Sequence, residues 1–256
     1  MKQAFTLAEV FLLHSVRRRR TAFTLAEVLI TLGIIGVVAA ITLPVLIQNH
    51  RKHVVETRLA KFYTTINQAI QMSETVNGDK KYWDYIGRSF ETGEDGLPDY
   101  SKSQAMAWFN KYLKPYMKFA KAESFNSGNS EGMVAVYFLD GSLLNFSVLG
   151  WYFYPYAKDF KKISRENGTI VYDPTISGTK SFPFLFSPAD TSEANKHHYN
   201  KGLEPYMWDW DGDVDTLKNN TNYGCSKTMP RFARSYCTPL IMFNGWKIPK
   251  DYPLKF

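Results

Sequence analysis

The sequence predicts an α+β protein in which one long amino-terminal helix packs on a small antiparallel β-sheet. Three observations carry this. An apolar run, FTLAEVLITLGIIGVVAAITLPVLI, fills residues 23–47. Directly after it, apolar residues recur at alternating spacings of four and three from Val55 to Val76, the period of one helix face. Further on, short apolar runs are punctuated by Asp-Gly, Asn-Gly and Ser-Gly, the marks of antiparallel strands. A helix followed by strands gives the α+β class. The expected organisation is a basic leader at 1–22, a membrane helix at 23–47, an amphipathic continuation at 48–78 and an α+β globular domain at 79–256.

The apolar run comes first. It contains one charged residue, Glu27. Roughly 20 apolar residues cross a bilayer core as a helix, and no soluble amphipathic helix is apolar on every side for so long. Arginines at 17–20 stand just before it. Positive flanks stay cytoplasmic, so the carboxyl-terminal bulk is expected outside the cytoplasm. The heptapeptide AFTLAEV occurs twice, at residues 4–10 and 22–28. Behind the first copy the apolar run lasts about a dozen residues, too few to span. The second copy is therefore the working one. The first reads as inert leader, whether a duplication scar or an upstream extension, in preference to a second processing site.

This order of basic residues, small residue, Phe and an acid four positions on inside an apolar helix resembles the type III signal of type IV pilins and type II secretion pseudopilins, whose usual pattern is Gly-Phe-Thr-Leu-x-Glu. The resemblance covers about 30 residues, AFTLAEVLITLGIIGVVAAITLP and the basic stretch before it. It implies that Ala22 precedes the cut, that Phe23 becomes the methylated amino terminus, and that Glu27 is the internal acid. Gly33, Gly36 and Pro44 fall where pilin helices commonly carry glycines and a proline. Ala22 departs from the usual Gly, which implies slower processing. The implied partners are a prepilin peptidase, an inner-membrane assembly platform and other pilin subunits of the same or different sequence. The implied location is a single pass through the bacterial inner membrane.

Acids inside membrane helices usually mark function. The resemblance supplies a partner for Glu27: the α-amine freed on Phe23 of a neighbouring subunit, which would register one helix against the next. The alternative is a side chain that snorkels to the cytoplasmic headgroups. Pro44 lacks a backbone donor and is expected to kink or locally melt the helix, as it would in an ordinary membrane helix too.

The amphipathic continuation presents Val55, Leu59, Phe62, Ile66, Ala69, Ser73 and Val76 as one narrow stripe, with Arg51, Lys52, Glu56, Arg58 and Lys61 as polar cover. Asn77-Gly78 is its stop signal. A self-standing coiled coil is a weaker reading, because Ser73 interrupts a short seam. A connector with turn residues around 94–98 follows. A short helix is then expected from a Ser101 cap to near Pro115. GMVAVYFLDGSLLNFSV reads as two strands joined by a two-residue turn at Asp140-Gly141. A third strand is expected at GTIVYD and a fourth at SFPFLFS, with Asn167-Gly168 and Ser177-Gly178 as turns. WYFYPYAKDF is aromatic enough to be a binding surface, though core or subunit packing suits it better.

Composition narrows the function. Of 256 residues, 45% are hydrophobic and 16% aromatic, which excludes a disordered chain. The formal charge is +7, but the first 22 residues hold five basic side chains against one acid. The excess is thus largely a property of the leader, and a nucleic-acid partner is not expected from it. Lys111, Lys114, Lys118 and Lys121 recur around the short helix and read as a solvated face before a phosphate contact. No GxSxG, HExxH or phosphate-binding glycine loop is present, so an enzyme is not expected.

Two stretches near the end are candidate sites. Asp209, Asp211, Asp213 and Asp215 stand at every second position, and hard oxygen ligands in a short loop suit calcium. The spacing is not that of an EF-hand, since Gly212 sits at the fourth loop position and Asn220 at the twelfth. On a strand the four acids would share one face; a solvated acidic turn is the plainer reading. Some type II secretion pseudopilins resemble this in carrying a carboxyl-terminal calcium loop. The two cysteines, Cys225 and Cys237, are either free thiols or one bridge. A location outside the cytoplasm favours the bridge, and the arrangement resembles the carboxyl-terminal disulfide loop of many pilins. No histidine lies near enough in sequence to suggest zinc. The expected function is a structural subunit that is processed and polymerised into a pseudopilus or pilus-like filament. The alternatives are a minor pilin that captures DNA or a secreted substrate, and an anchored domain that never polymerises.

Overall fold

The long helix forms where the sequence places it. In the computed structural model α1 runs over Leu25–Asn77, 53 residues. The structure describes residues 24–87, 90–94, 96, 98–126, 132–148, 150–164, 170–172, 178–230 and 233–256. The leader, Ala22, Phe23 and the Asn167-Gly168 turn lie outside the described residues. The chain divides into two units, Met1–Ile47 and Gln48–Phe256.

Within the first unit, the described part of α1 is apolar all round, and Leu25, Ile30, Ile35, Ile41 and Leu46 are all exposed. The helix passes through Pro44 without a break in its assignment. Of the two expected outcomes, a kink or local melting, the second is not seen. One proline removes a single N–H donor, which the hydrogen bonds of the turns on either side tolerate.

The second unit begins with the amphipathic part of α1. Val55, Leu59, Phe62, Ile66, Ala69, Ile70 and Ser73 are buried. Val76, expected in the same row, is 72% exposed. Alternating spacings of four and three repeat every 3.5 residues, whereas a straight helix turns every 3.6. The row therefore drifts by about 20° per heptad, or roughly 60° between Val55 and Val76. That drift brings Ile70 in and carries Val76 out. The helix stops as expected: Gly78 takes φ +76° and its N–H donates to the Glu74 carbonyl at 3.0 Å, a left-handed cap that glycine adopts without strain.

The sheet has six antiparallel strands: β3 (Lys121–Asn126), β4 (Gly132–Tyr137), β5 (Leu143–Ser147), β6 (Gly150–Tyr154), β9 (Phe182–Leu185) and β10 (Glu204–Pro205). Their order is β10-β9-β6-β5-β4-β3. Val134, Val136, Leu144, Phe146, Trp151, Phe153, Phe182 and Phe184 share a core with the α1 row. Phe62 lies at its middle, stacked on Phe153 at 4.2 Å and edge-on to Phe184 and Phe138 at 5.2 and 6.0 Å. A second cluster on the opposite face holds Phe125, Met133, Ala135, Leu143, Tyr154 and Phe160. Burial on both faces explains why β5 reads as a continuous apolar run interrupted only by Asn145.

Several expectations need correction. The β4–β5 connection is longer than a two-residue turn: Phe138 N–H donates to the Ser142 carbonyl at 2.9 Å. Gly141 has φ +78° but Asp140 does not share the positive φ that a type I′ turn needs. The strand at GTIVYD is β8 (Ile170–Tyr172), but it pairs with β7 (Lys162–Ser164) in a separate two-stranded sheet. Another pair joins β1 (Phe90–Thr92) to β2 (Pro98–Ser103). Because residues 98–103 are extended in β2, α2 (Gln104–Tyr112) starts later than Ser101 would place it. Ser103 is its cap, accepting from Met106 N–H at 3.1 Å. WYFY lies in β6, with Trp151, Phe153 and Tyr154 at 2% exposure or less, so packing is its role. Two short helices, α3 (Thr216–Asn219) and α4 (Cys237–Phe243), close the chain.

Candidate assembly site

The start of α1 holds the acid that the sequence singles out. Thr24 N–H and Thr24 Oγ1–H both donate to Glu27 Oε2, each at 2.8 Å. In return Glu27 N–H donates to Thr24 Oγ1 at 3.2 Å. This reciprocal pair is a capping box, which satisfies donors that a helix start otherwise leaves bare. The carboxylate also lies at the helix's positive end. All the side-chain bonds fall on Oε2, and Oε1 has no partner among the described residues. Glu27 thus winds the helix start with one oxygen and leaves the other open. The sequence reading missed this capping role, although the Thr-x-x-Glu signal stands in the chain at Thr24 and Glu27.

Gly33 and Gly36 lie further along the same helix. A Cβ built on either would meet nothing within 4 Å. No close approach among the described residues therefore demands a glycine at these positions, and small residues on a membrane helix allow a second helix to come near.

Cys225 and Cys237 form a disulfide, with Cα atoms 4.6 Å apart and a sequence separation of 12. Both are fully buried. Cys225 N–H donates to the Leu217 carbonyl at 2.7 Å, so the bridge ties the end of α3 to the first residue of α4. Closing a loop of this length contributes ~3 kcal/mol on the chain-entropy account.

The four aspartates lie in a turn between β10 and α3, and they do not line a strand. Asp211 Oδ1 accepts from Asp213 N–H at 3.0 Å and from the Thr216 hydroxyl at 2.7 Å. Asp213 Oδ1 accepts from Asp215 N–H at 2.9 Å. Trp210 Nε1 pins the loop by donating to the Asp213 carbonyl at 2.9 Å. The Thr216 hydroxyl and the Asp213 amide hold the Asp211 carboxyl below its ordinary range. Among the described residues no three metal-ligating side chains gather in one place.

The lysines also separate. Lys111 on α2 pairs with Asp84 at 2.7 Å, while Lys121 on β3 pairs with Glu123 at 3.3 Å. Lys114 lies in a 3₁₀ turn and Lys118 beyond it, both exposed. They do not form one basic face. A contact that sequence reading could not foresee joins Tyr63 to Glu204, 141 positions apart, with the Tyr63 hydroxyl 3.1 Å from both carboxylate oxygens. Burial raises the Glu204 carboxyl above its ordinary value; the Tyr63 hydroxyl and Lys201 work against that rise.

A long amino-terminal helix, apolar on every side at first and then amphipathic, with an acid in its first turn and an antiparallel sheet on its amphipathic row, defines a type IV pilin-like protein. Residues 17–43 match the prokaryotic N-terminal methylation motif, so the chain is a prepilin-like substrate of a prepilin peptidase. Among the described residues one helix is long and apolar enough to anchor it in a membrane. Residues 45–256 match a family of unknown function, DUF6613, and the chain belongs to that family. Neither a curated protein nor a solved structure matches it.

Proposed function

We propose that this protein is a structural subunit, cut after Ala22, methylated on Phe23 and polymerised into a type II secretion pseudopilus or a type IV pilus-like filament. The observation that carries the reading is the half-used carboxylate of Glu27 in the first turn of an apolar helix that bears the methylation motif. Its open oxygen suits an ammonium group, and cleavage makes one on Phe23. Paired across neighbouring subunits, the two would set the stagger of adjacent helices as they leave the bilayer. Arginines on the leader side support an orientation with the globular domain outside the inner membrane. The disulfide agrees with that oxidising side. The assembly platform of the inner membrane is the expected partner, and the role is structural rather than enzymatic.

The test is the mass of the chain recovered from cells with an active prepilin peptidase. Loss of residues 1–22 together with one added methyl group is expected. Recovery with the arginine-bearing leader still attached would overturn the proposal.

A further inference from the structure

Just beyond the end of α1, the second unit contains a cavity of about 410 Å³, within the roughly 300–1,000 Å³ of small-molecule sites. Its floor is aromatic. The Phe186 ring lies 5.8, 5.7 and 5.9 Å from the rings of Trp83, Trp108 and Trp151. Half of the chain's six tryptophans thus meet at one place, although they come from three separate stretches of sequence.

The cavity is built before any ligand arrives. Trp83 Nε1 donates to the Gly78 carbonyl at 2.8 Å and Trp108 Nε1 to the Asp84 carbonyl at 2.9 Å. Asp84 N–H donates to the Tyr112 hydroxyl at 3.0 Å, and the Trp83 ring stacks on Tyr112 at 4.5 Å. Tyr85 lines the cavity, yet its side chain is 76% exposed. An exposed aromatic ring at the edge of such a pocket offers an apolar face to a ligand.

The charged groups at the rim number two of each sign. Lys80 and Lys81 are offset by Asp84 and Asp190, and three of these already hold partners: Lys80 with Glu74, Lys81 with Asp79, and Asp84 with Lys111. Asp190 Oδ1 accepts from Ser192 N–H at 2.9 Å. What remains is hydrogen-bonding capacity. Asp84 takes Lys111 and Tyr112 on Oδ2, which leaves Oδ1 as an acceptor. Ser187 Oγ accepts from Asn195 Nδ2 at 2.7 Å, which leaves its hydroxyl proton to donate. A purely aliphatic ligand would strip water from these groups and return nothing.

A ligand with one flat face of C–H bonds and an edge of neutral hydroxyls answers both halves of the pocket. We infer that this cavity binds a neutral sugar ring, stacked on Tyr85 and hydrogen-bonded at its edge to Asp84 and Ser187. The inference goes beyond the filament reading and does not depend on it.

The test uses the full chain in a polyoxyethylene detergent that carries no sugar headgroup. Tryptophan fluorescence is followed during titration with glucose, galactose, N-acetylglucosamine and their β-linked oligomers, with N-acetylphenylalaninamide as an aromatic competitor. A saturable change with at least one sugar in the millimolar range is expected. Tyr85→Ala should weaken it about tenfold, whereas Tyr85→Phe, which keeps the ring, should not. Tyr82→Ala, at a ring 85% exposed outside the cavity, should leave binding unchanged. Circular dichroism checks that each variant is folded. No saturation with any sugar, equal binding by Tyr85→Ala, or saturation by the aromatic amide alone would overturn the inference. None of these outcomes bears on cleavage at Ala22, which the mass measurement reads separately.

Discussion

Phe62 is the residue on which the union of helix and sheet turns, and its truncation can be worked through. The side chain is 5% exposed and packs on Phe153, Phe184 and Phe138. Removing a buried phenylalanine ring costs about 3–5 kcal/mol in lost transfer energy and residual cavity. Its aromatic pairs add about 0.5–1.5 kcal/mol each beyond area, so Phe62→Ala belongs at the upper end, near 5 kcal/mol. A domain near 200 residues shifts its Tm by about 2–4 °C per kcal/mol, which gives a fall of roughly 10–20 °C. The companion substitution is Val76→Ala, in the same sequence stripe but 72% exposed, and it should cost within about 0.5 kcal/mol. Thermal unfolding of the detergent-solubilised chain, followed by near-ultraviolet circular dichroism, reads both. Equal Tm values for the two variants would refute the assignment of the α1 row to the sheet core.

Four further outcomes follow from particular contacts. Glu27→Gln keeps an N3 residue able to cap Thr24 but loses the charge, so it should enter the membrane and fail to assemble, as Glu27→Ala should; filaments from the Gln variant alone would transfer the role from charge to cap. Burial raises the Glu204 carboxyl above its ordinary 4.5, so the folded state holds that proton more tightly than the unfolded chain. Stability is then full below 4.5 and declines as pH rises through the native value; Glu204→Gln should remove the decline and raise the urea midpoint at neutral pH. Asn145 is fully buried on β5 and neither amide atom has a partner among the described residues; Asn145→Leu should stabilise by about 1–3 kcal/mol in urea unfolding, and a loss would show that the amide is used. Calorimetry with millimolar calcium should give no binding heat, since Asp211 and Asp213 already accept the donors of their own turn; saturable heat lost in Asp211→Asn would reverse that.

Local physics was legible in the sequence; distant meetings were not. The stem could be read because a buried helix face imposes a period, and its end because Gly78 alone tolerates the left-handed cap. The β4–β5 pair could be read because both faces are buried and the runs are apolar. By contrast β3 begins Lys121-Ala122-Glu123, an edge strand whose side chains carry no apolar pattern, and β10 has two residues, one of them Pro205. Ser101 and Ser103 offer equal capping chemistry, and only the pairing of β2 decides between them. The cysteine pair was recoverable from the expected compartment and from the resemblance to the pilin disulfide loop. The capping half of Glu27 stood in Thr-x-x-Glu and was obscured by the stronger membrane signal. Trp83, Trp108 and Trp151 share no local motif, so only the folded chain discloses their pocket.

The division of labour within one carboxylate has a consequence for how a subunit changes surroundings. A side chain with one oxygen engaged and the other open need not surrender its first attachment to gain another. If the proposed assembly holds, moving from lipid into a polymer would add one bond to the carboxylate without unravelling the first turn. Thr24, which keeps that turn closed, would make the handover smooth.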